Sequence, residues 1–374
     1  MPVPLFDVLR DKGQMAELEA AVARVLRSGM YTLGPEVDTA ERELADRLGV
    51  AHAVGMSSGA DALLAALTAI GIGRGDRVAV PTFGYFSPAG AVARVGATPV
   101  FVEAETTTGG LDATALADVL AGPAKPKAVI VSHLFGLSAD VPAIETVCRK
   151  AGVPMIEDAA TAIGGDRNGR PVGIDGICST WSTSSAKHLG GLGEGGFLTT
   201  NDERIAETCR ALRNHGALVQ HDHTLVGGNY RMDAIQAAAV RVRLRHLDDV
   251  VAMRRDIAAR YRDLFDEAHL SDWAQLPAEV EGHSYQQFVV RVPAAQRDAA
   301  LVHLRKQGVG CAAPFPRPQH RQTCFADLGI TLDAFPVADE LAATTLILPL
   351  FGGITEAEQI DVVGALANFA LQRR

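Results

Sequence analysis

Lys187 stands apart from the other lysines of this chain. There are six, and Lys12, Lys125, Lys127, Lys150 and Lys306 fall in charged, turn-like or helix-end surroundings that read as solvated. Lys187 lies instead in STSSAKHLGGLGEGG, residues 182–196. Glycines let a ligand approach the backbone closely, and burial would lower the lysine pKa towards a free, nucleophilic amine. Lys187 is therefore a candidate for covalent catalysis.

Two further segments carry matching chemistry. Glu157 and Asp158 end the apolar run VPMIED, so they fall at the carboxyl end of a buried strand, the edge where open α/β sheets bind ligands. Strand side chains alternate, so one carboxylate faces each side, and Asp158 is the one chosen for the site. A helix N-cap or a solvated pair is the competing reading. The segment GMSSGADAL (55–63) leads small residues into an apolar helix, which makes a cradle of free backbone N–H groups for an anion or simply a capped helix start. A nucleophilic lysine, a carboxylate to keep a pyridine nitrogen protonated, and a phosphate cradle are together what pyridoxal 5'-phosphate (PLP) requires.

The elements around these residues form a repeating pattern. Residues 13–29 and 36–48 read as amphipathic helices separated by a turn at Gly34-Pro35. Apolar runs at 77–80, 98–102, 127–132 and 153–157 read as buried strands, with helices at 60–71, 85–95, 111–121 and 140–151. Such alternation implies a mostly parallel sheet covered on both faces. Short strands are expected at 177–182 and 196–200. A long helix from Met232 to about Ala268 reads as a connector, followed by a strand segment at 284–292, a helix near 295–307, a short segment at 309–312 and a last helix at 355–371. The expected division is a large domain over 1–245 and a connector plus smaller α+β domain over 246–374.

Composition narrows the function classes. A hydrophobic share of 48% in 374 residues supports a filled globular core, and a net charge of -9 argues against a nucleic-acid or anionic-membrane surface. No basic segment leading into an apolar run is visible at the N-terminus, and no apolar stretch nears bilayer length, so a cytoplasmic protein is expected. Cys148, Cys178, Cys209, Cys311 and Cys324 are scattered and unpaired in spacing, which suggests reduced thiols and no zinc site.

Motifs spread along nearly the whole chain resemble the sugar aminotransferases of the DegT/StrS group, a branch of the fold-type I PLP enzymes. They run from SGMYTLGPEV (28–37) through SSGADAL (57–63), VPTFGY (80–85), HLFG (133–136), EDAATA (157–162), the Lys187 loop, RNHG (213–216) and GNYRM (228–232) to LPLF (348–351). The resemblance implies a mostly parallel seven-stranded sheet and amination of a keto-sugar, usually nucleotide-linked, with glutamate or glutamine as donor. It implies that Lys187 carries PLP as a Schiff base and shuttles protons, that Asp158 pairs with the pyridinium nitrogen, and that Tyr85 stacks on the ring. It further implies that Gly59, Ala60 and Ser182 hold the phosphate, that Thr161 lies near the ring hydroxyl, and that Asn229 reaches the phosphate from the other subunit of a homodimer.

The chain also departs from the family pattern. Ala60 stands for a usual Thr, Thr161 for Gln, Ile163 for His, Gly84 for Thr or Ser, His188 for Asn and Leu137 for Gln, while PFP (314–316) replaces His-Tyr-Pro. These changes cluster where substrate should sit, so a free cyclitol ketone or unusual sugar of a secondary-metabolite pathway is an alternative acceptor. A catalytically silent PLP-binding regulatory protein is the alternative from another class. A related branch with His in place of the lysine performs dehydration, which Lys187 excludes. Arg231, Arg317 and His320 are the candidate substrate contacts.

Overall fold

The computed structural model describes residues 2–10 and 12–373. Helices α1 (Met15–Ser28) and α2 (Pro35–Leu48) come first. The α/β layer follows in chain order: β1 (His52–Met56), α3 (Gly59–Ala69), β2 (Arg77–Pro81), α4 (Ser87–Arg94), β3 (Thr98–Val102) and α5 (Ala113–Ala121). It continues with β4 (Ala128–Ser132), α6 (Val141–Ala151), β5 (Met155–Asp158), β6 (Cys178–Ser182), β7 (Gly196–Thr200) and α7 (Glu203–Arg213). The expected seven-stranded sheet is present, ordered β1-β7-β6-β5-β4-β2-β3. Only β7 runs antiparallel to its neighbours.

The two-residue period of the strands sorts their side chains into two cores. Met56, Val78, Val80, Ile130, Ile156, Cys178 and Leu198 pack with α3, α4 and α7 on one face. On the other face Ala79, Val129, Val131 and Met155 pack with α5 and α6, while Ala53, Trp181 and Phe197 meet α2 and α8 (Ala234–Arg245). Both faces are dry, which is why the strands read as continuous apolar runs rather than alternating ones.

The helix expected from Met232 to Ala268 is two helices. His246, with φ -103° and ψ 8°, separates α8 from α9 (Leu247–Glu267). Beyond it stand β8 (Phe288–Arg291), α10 (Ala294–Lys306), α11 (Pro336–Thr344), β9 (Thr345–Leu348) and α12 (Glu356–Leu371), with β8 and β9 antiparallel. Tyr261, Phe265, Phe288, Leu304, Leu348 and Leu366 form a core of their own there. Among the described residues no helix is long and apolar enough to cross a membrane.

Candidate active site

Three strand ends make a polar row at the carboxyl edge of the sheet. Ser132 is in register with Asp158, and Asp158 with Thr180, on parallel β4, β5 and β6. Side chains two apart share a face, so Asp158 lies on the side of Ile156, and Thr180 and Ser182 on that of Cys178. That is the face covered by α3. Ser132 and Thr180 flank the carboxylate, and Thr180 Oγ1 is buried without a hydrogen-bond partner.

Asp158 is 7% exposed, and its Oδ1 accepts from the Ala160 N–H at 3.2 Å. Burial pushes its pKa above the usual carboxylate range, against the Ala160 bond and the charge of Lys187. Such a carboxylate is held ready for a cationic partner. Glu157, one residue earlier, is already satisfied. Its Oε2 meets His133 Nε2 at 2.9 Å, and its Oε1 accepts from the Asp175 and Gly176 N–H groups at 2.7 and 2.6 Å. Burial alone would raise the Glu157 pKa, but the His133 hydrogen bond and these two amides bring it below its ordinary value. Because His133 Nδ1 accepts from the Ala139 N–H, Nε2 carries the imidazole proton and donates it to Glu157.

Lys187 follows β6 in a tight loop. Its N–H donates to the Ser184 carbonyl at 2.8 Å, and its own carbonyl accepts from Gly190 at 2.9 Å. A Cβ at Gly190 would lie 2.5 Å from the Ser185 carbonyl oxygen, so the loop closes only with glycine there. Burial lowers the Lys187 pKa, opposed by the charges of Asp158 and Glu194. The amine is thus shifted towards its nucleophilic, uncharged form.

The anion cradle is the amino end of α3. Ser58 caps the helix by accepting from the Asp61 N–H at 3.0 Å. Gly59 and Ala60 occupy the first turn, where N–H groups have no partner within the helix. Ser182 lies against Gly59, whose added Cβ would come within 3.3 Å of it, and a Cβ at Gly196 would overlap the Gly59 amide. Arg213 supports this floor from beneath, with Nη1 donating to Glu41 Oε1 at 2.5 Å and to the Gly55 carbonyl at 2.9 Å. Free amides, a close-packed glycine cradle, an under-satisfied buried carboxylate and a depressed lysine on one sheet face fit PLP.

The other expected site residues are placed less uniformly. Tyr85 follows β2 at the same sheet edge and is 68% exposed. Thr161 donates its hydroxyl to the His133 carbonyl at 2.6 Å, so only its lone pairs remain for a ligand. Asn229 is exposed, and its Oδ1 accepts from Arg231 Nε at 2.9 Å. Arg317 is exposed. His320 does not fit the role of substrate contact: it is buried against Phe335, with Nε2 3.2 Å from the Leu332 carbonyl. Among the departures, His188 is buried with Nδ1 3.1 Å from the Ile163 carbonyl, and Phe315 packs with Phe83 and Phe135 at 5.3 and 5.7 Å. Ser132, Thr180 and Gln286 escaped the sequence reading, since isolated polar residues at strand ends or in a strand-like run give no periodic signal.

Known proteins share this architecture over its full length. A pleiotropic regulatory protein of Geobacillus stearothermophilus is 37% identical, covering 99% of each chain. A UDP-N-acetyl-3-dehydro-α-D-glucosamine 3-aminotransferase of Acidithiobacillus ferrooxidans is 38% identical over 98% of this chain and 95% of its own. The crystal structure of DesV of S. venezuelae in complex with a ketimine intermediate superposes with a TM-score of 0.93 at 34% identity, covering 99% of this chain and 98% of that one. The family model of the DegT/DnrJ/EryC1/StrS aminotransferases matches residues 13–367, and with these relatives it shows that the chain is an aminotransferase belonging to that family.

Proposed function

We propose that this aminotransferase aminates a nucleotide-linked keto-sugar, with PLP as cofactor and glutamate or glutamine as amino donor. The observation that carries this reading is the pairing of a depressed lysine with an elevated, under-satisfied carboxylate beside free helix amides. PLP, when bound, supplies the electron sink for moving an amino group between carbons. Lys187 would hold the aldehyde carbon, and Asp158 the protonated pyridine nitrogen. Gly59, Ala60 and Ser182 would hold the phosphate, with Tyr85 over the ring and Thr161 at its edge. With PLP bound, the Lys187 amine would be the base that takes the proton from the donor carbon and the acid that returns one to the acceptor carbon. Arg231 and Arg317 are the proposed contacts for acceptor phosphates.

The unit proposed is a homodimer with shared sites, in the cytoplasm. Its support is the exposed apolar surface beside the site: Val226 is 99% exposed, and Leu218, Val219, Leu225, Met30 and Tyr31 are also exposed. The half-buried Phe135 and Phe315, stacked at 5.7 Å over the buried Phe83, favour a second acceptor class, a free cyclitol ketone or unusual sugar, because their rings present apolar surface and no anion donors. The regulatory name of the Geobacillus relative motivates a silent PLP-binding regulator as a third reading. A reverse-direction screen separates the three. Holo-protein is mixed with nucleotide-linked amino sugars, free amino sugars and aminocyclitols, and conversion of the cofactor to its amine form is followed. Turnover of one class identifies the acceptor, and no conversion with any amine, glutamate included, overturns the aminotransfer reading for this chain.

A further inference from the structure

We infer that Gln286 is a positioning residue that sets the orientation of Lys187, an inference that rests on Lys187 being the cofactor lysine. Its side-chain amide bridges the two peptide groups that flank the lysine. Nε2 donates to the Ala186 carbonyl at 2.8 Å, and Oε1 accepts from the His188 N–H at 3.2 Å. The lysine's own N–H and carbonyl close turns to Ser184 and Gly190. Four hydrogen bonds thereby fix the backbone around a single side chain, and two of them come from one residue far away in sequence.

Gln286 is itself anchored on every side. It is 7% exposed, and its carbonyl accepts from Arg254 Nη1 at 3.2 Å, together with those of Tyr285 and Leu350 at 3.0 and 3.4 Å. Its backbone is wedged against the turn after β4. Ser284 N–H donates to the Gly136 carbonyl at 2.9 Å, and Gln287 N–H to the Phe135 carbonyl at 3.2 Å. A Cβ at Gly136, which has φ 96°, would lie 2.6 Å from the Gln286 nitrogen. Tyr285, at φ 48°, turns the chain so that Gln286 points to the lysine loop instead of continuing β8. The segment before β8 therefore transmits the packing of the C-terminal core to the nucleophile. A lysine that must meet one aldehyde carbon at a defined angle gains from such a mount, since small misplacements of reacting groups are costly.

The test compares the unaltered chain with Gln286→Met, which keeps the volume but has neither hydrogen-bonding group, and Gln286→Glu. Cofactor-free protein is mixed with PLP. Binding is read from quenching of protein fluorescence, and the covalent link to Lys187 from the visible band and from borohydride trapping. We expect Gln286→Met to bind PLP within about threefold of the unaltered chain but to form the link roughly ten- to a hundredfold more slowly. Gln286→Glu should recover, relative to the unaltered chain at each pH, as pH falls, because only the protonated carboxyl can donate to the Ala186 carbonyl. Amide hydrogen exchange at Lys187 and His188 in the cofactor-free protein should also speed up in Gln286→Met, a readout independent of PLP. Unchanged link formation and unchanged exchange in Gln286→Met would overturn the role of Gln286. Failure of the unaltered chain to form any borohydride-trapped link would overturn the cofactor reading instead.

Discussion

Glu157 and Asp158 are neighbours on β5 that face opposite sides of the sheet and live in opposite electrostatic states. Glu157 is saturated by His133 and the amides of Asp175 and Gly176, while Asp158, on the α3 face between Ser132 and Thr180, accepts from the Ala160 amide. The structure thus gives the two carboxylates different work. Asp158→Asn keeps the shape and removes the charge that would stabilise a protonated pyridine. It should lower turnover by about a hundredfold, in line with loss of one key electrostatic partner. Steady-state kinetics with saturating PLP check this, and near-normal turnover in Asp158→Asn would reassign the role.

Glu157 should instead govern stability and its response to acid. Its folded-state pKa lies below the ordinary value, so its contribution is fully present above the unfolded pKa of about 4.3 and is lost as pH falls through the lower folded value. Glu157→Gln should cost about 2 kcal/mol near neutrality, the scale of hydrogen bonds to a charged group. The difference from the unaltered chain should shrink as pH drops below about 4, since protonation then neutralises the native residue as well. Urea unfolding at several pH values measures it, and a difference that stays constant down to acid would show that the buried charge is not what stabilises this edge.

Much of this architecture was legible in the sequence because parallel strands buried on both faces leave plain apolar runs. β2 to β5 and their crossover helices fall within a few residues of expectation. β1 was not seen, since HAVGM is short and merges with the glycine and serine residues that begin α3. β9 follows α11 with no turn between them, which leaves no punctuation to read. The run SYQQFVVRV looked like one strand, but only Phe288–Arg291 pairs, because residues 284–287 bond to the turn at Phe135–Gly136 and to the lysine loop. A side chain recruited from a different core has no local signature. His320 was chosen for its chemistry, yet its neighbours Phe335 and Leu332 enclose it.

Lys187→Ala should abolish turnover and the visible-absorbing covalent link while leaving PLP bound through its phosphate. The lysines at 125, 127, 150 and 306 lie on other elements, well outside the polar row at the ends of β4 to β6. Borohydride reduction followed by peptide mapping is the check. A reduced adduct retained in the variant would place the cofactor on another lysine.

The cradle makes two opposed predictions about PLP affinity. Ala60→Thr adds a hydroxyl in the first turn of α3 and should tighten binding by about 1 kcal/mol, the value of one added hydrogen bond. Gly196→Ala places a methyl group against the Gly59 amide and should weaken binding by at least tenfold, or about 1.4 kcal/mol. Equilibrium dialysis with PLP reads both. Weaker binding in Ala60→Thr would mean that this cradle has been reshaped around alanine, and unchanged binding in Gly196→Ala would remove the Gly59 amide from the phosphate site.

The last prediction concerns the proposed sharing of sites between two subunits. Asn229 is bridged to Asn214 on an exposed segment, and Val226, three residues before it, is 99% exposed. The backbone of Tyr230 is tied to Ser57 by a 2.8 Å hydrogen bond, so the segment runs along the sheet edge beside the cradle and presents Asn229 outward. A twofold partner would bring the same segment to the opposite site, giving two equivalent composite sites. Asn229→Asp should weaken PLP binding by charge repulsion with the phosphate, and Lys187→Ala should be inactive. If Asn229 serves the partner, a mixed dimer of the two variants gathers both lesions in one site and leaves the other intact. Dissociating and reassembling an equimolar mixture should then restore about a quarter of the unaltered activity, since half of the dimers are mixed and each has one working site of two. Recovery in unaltered controls but none in the mixture would place Asn229 within its own subunit's site or outside the site altogether.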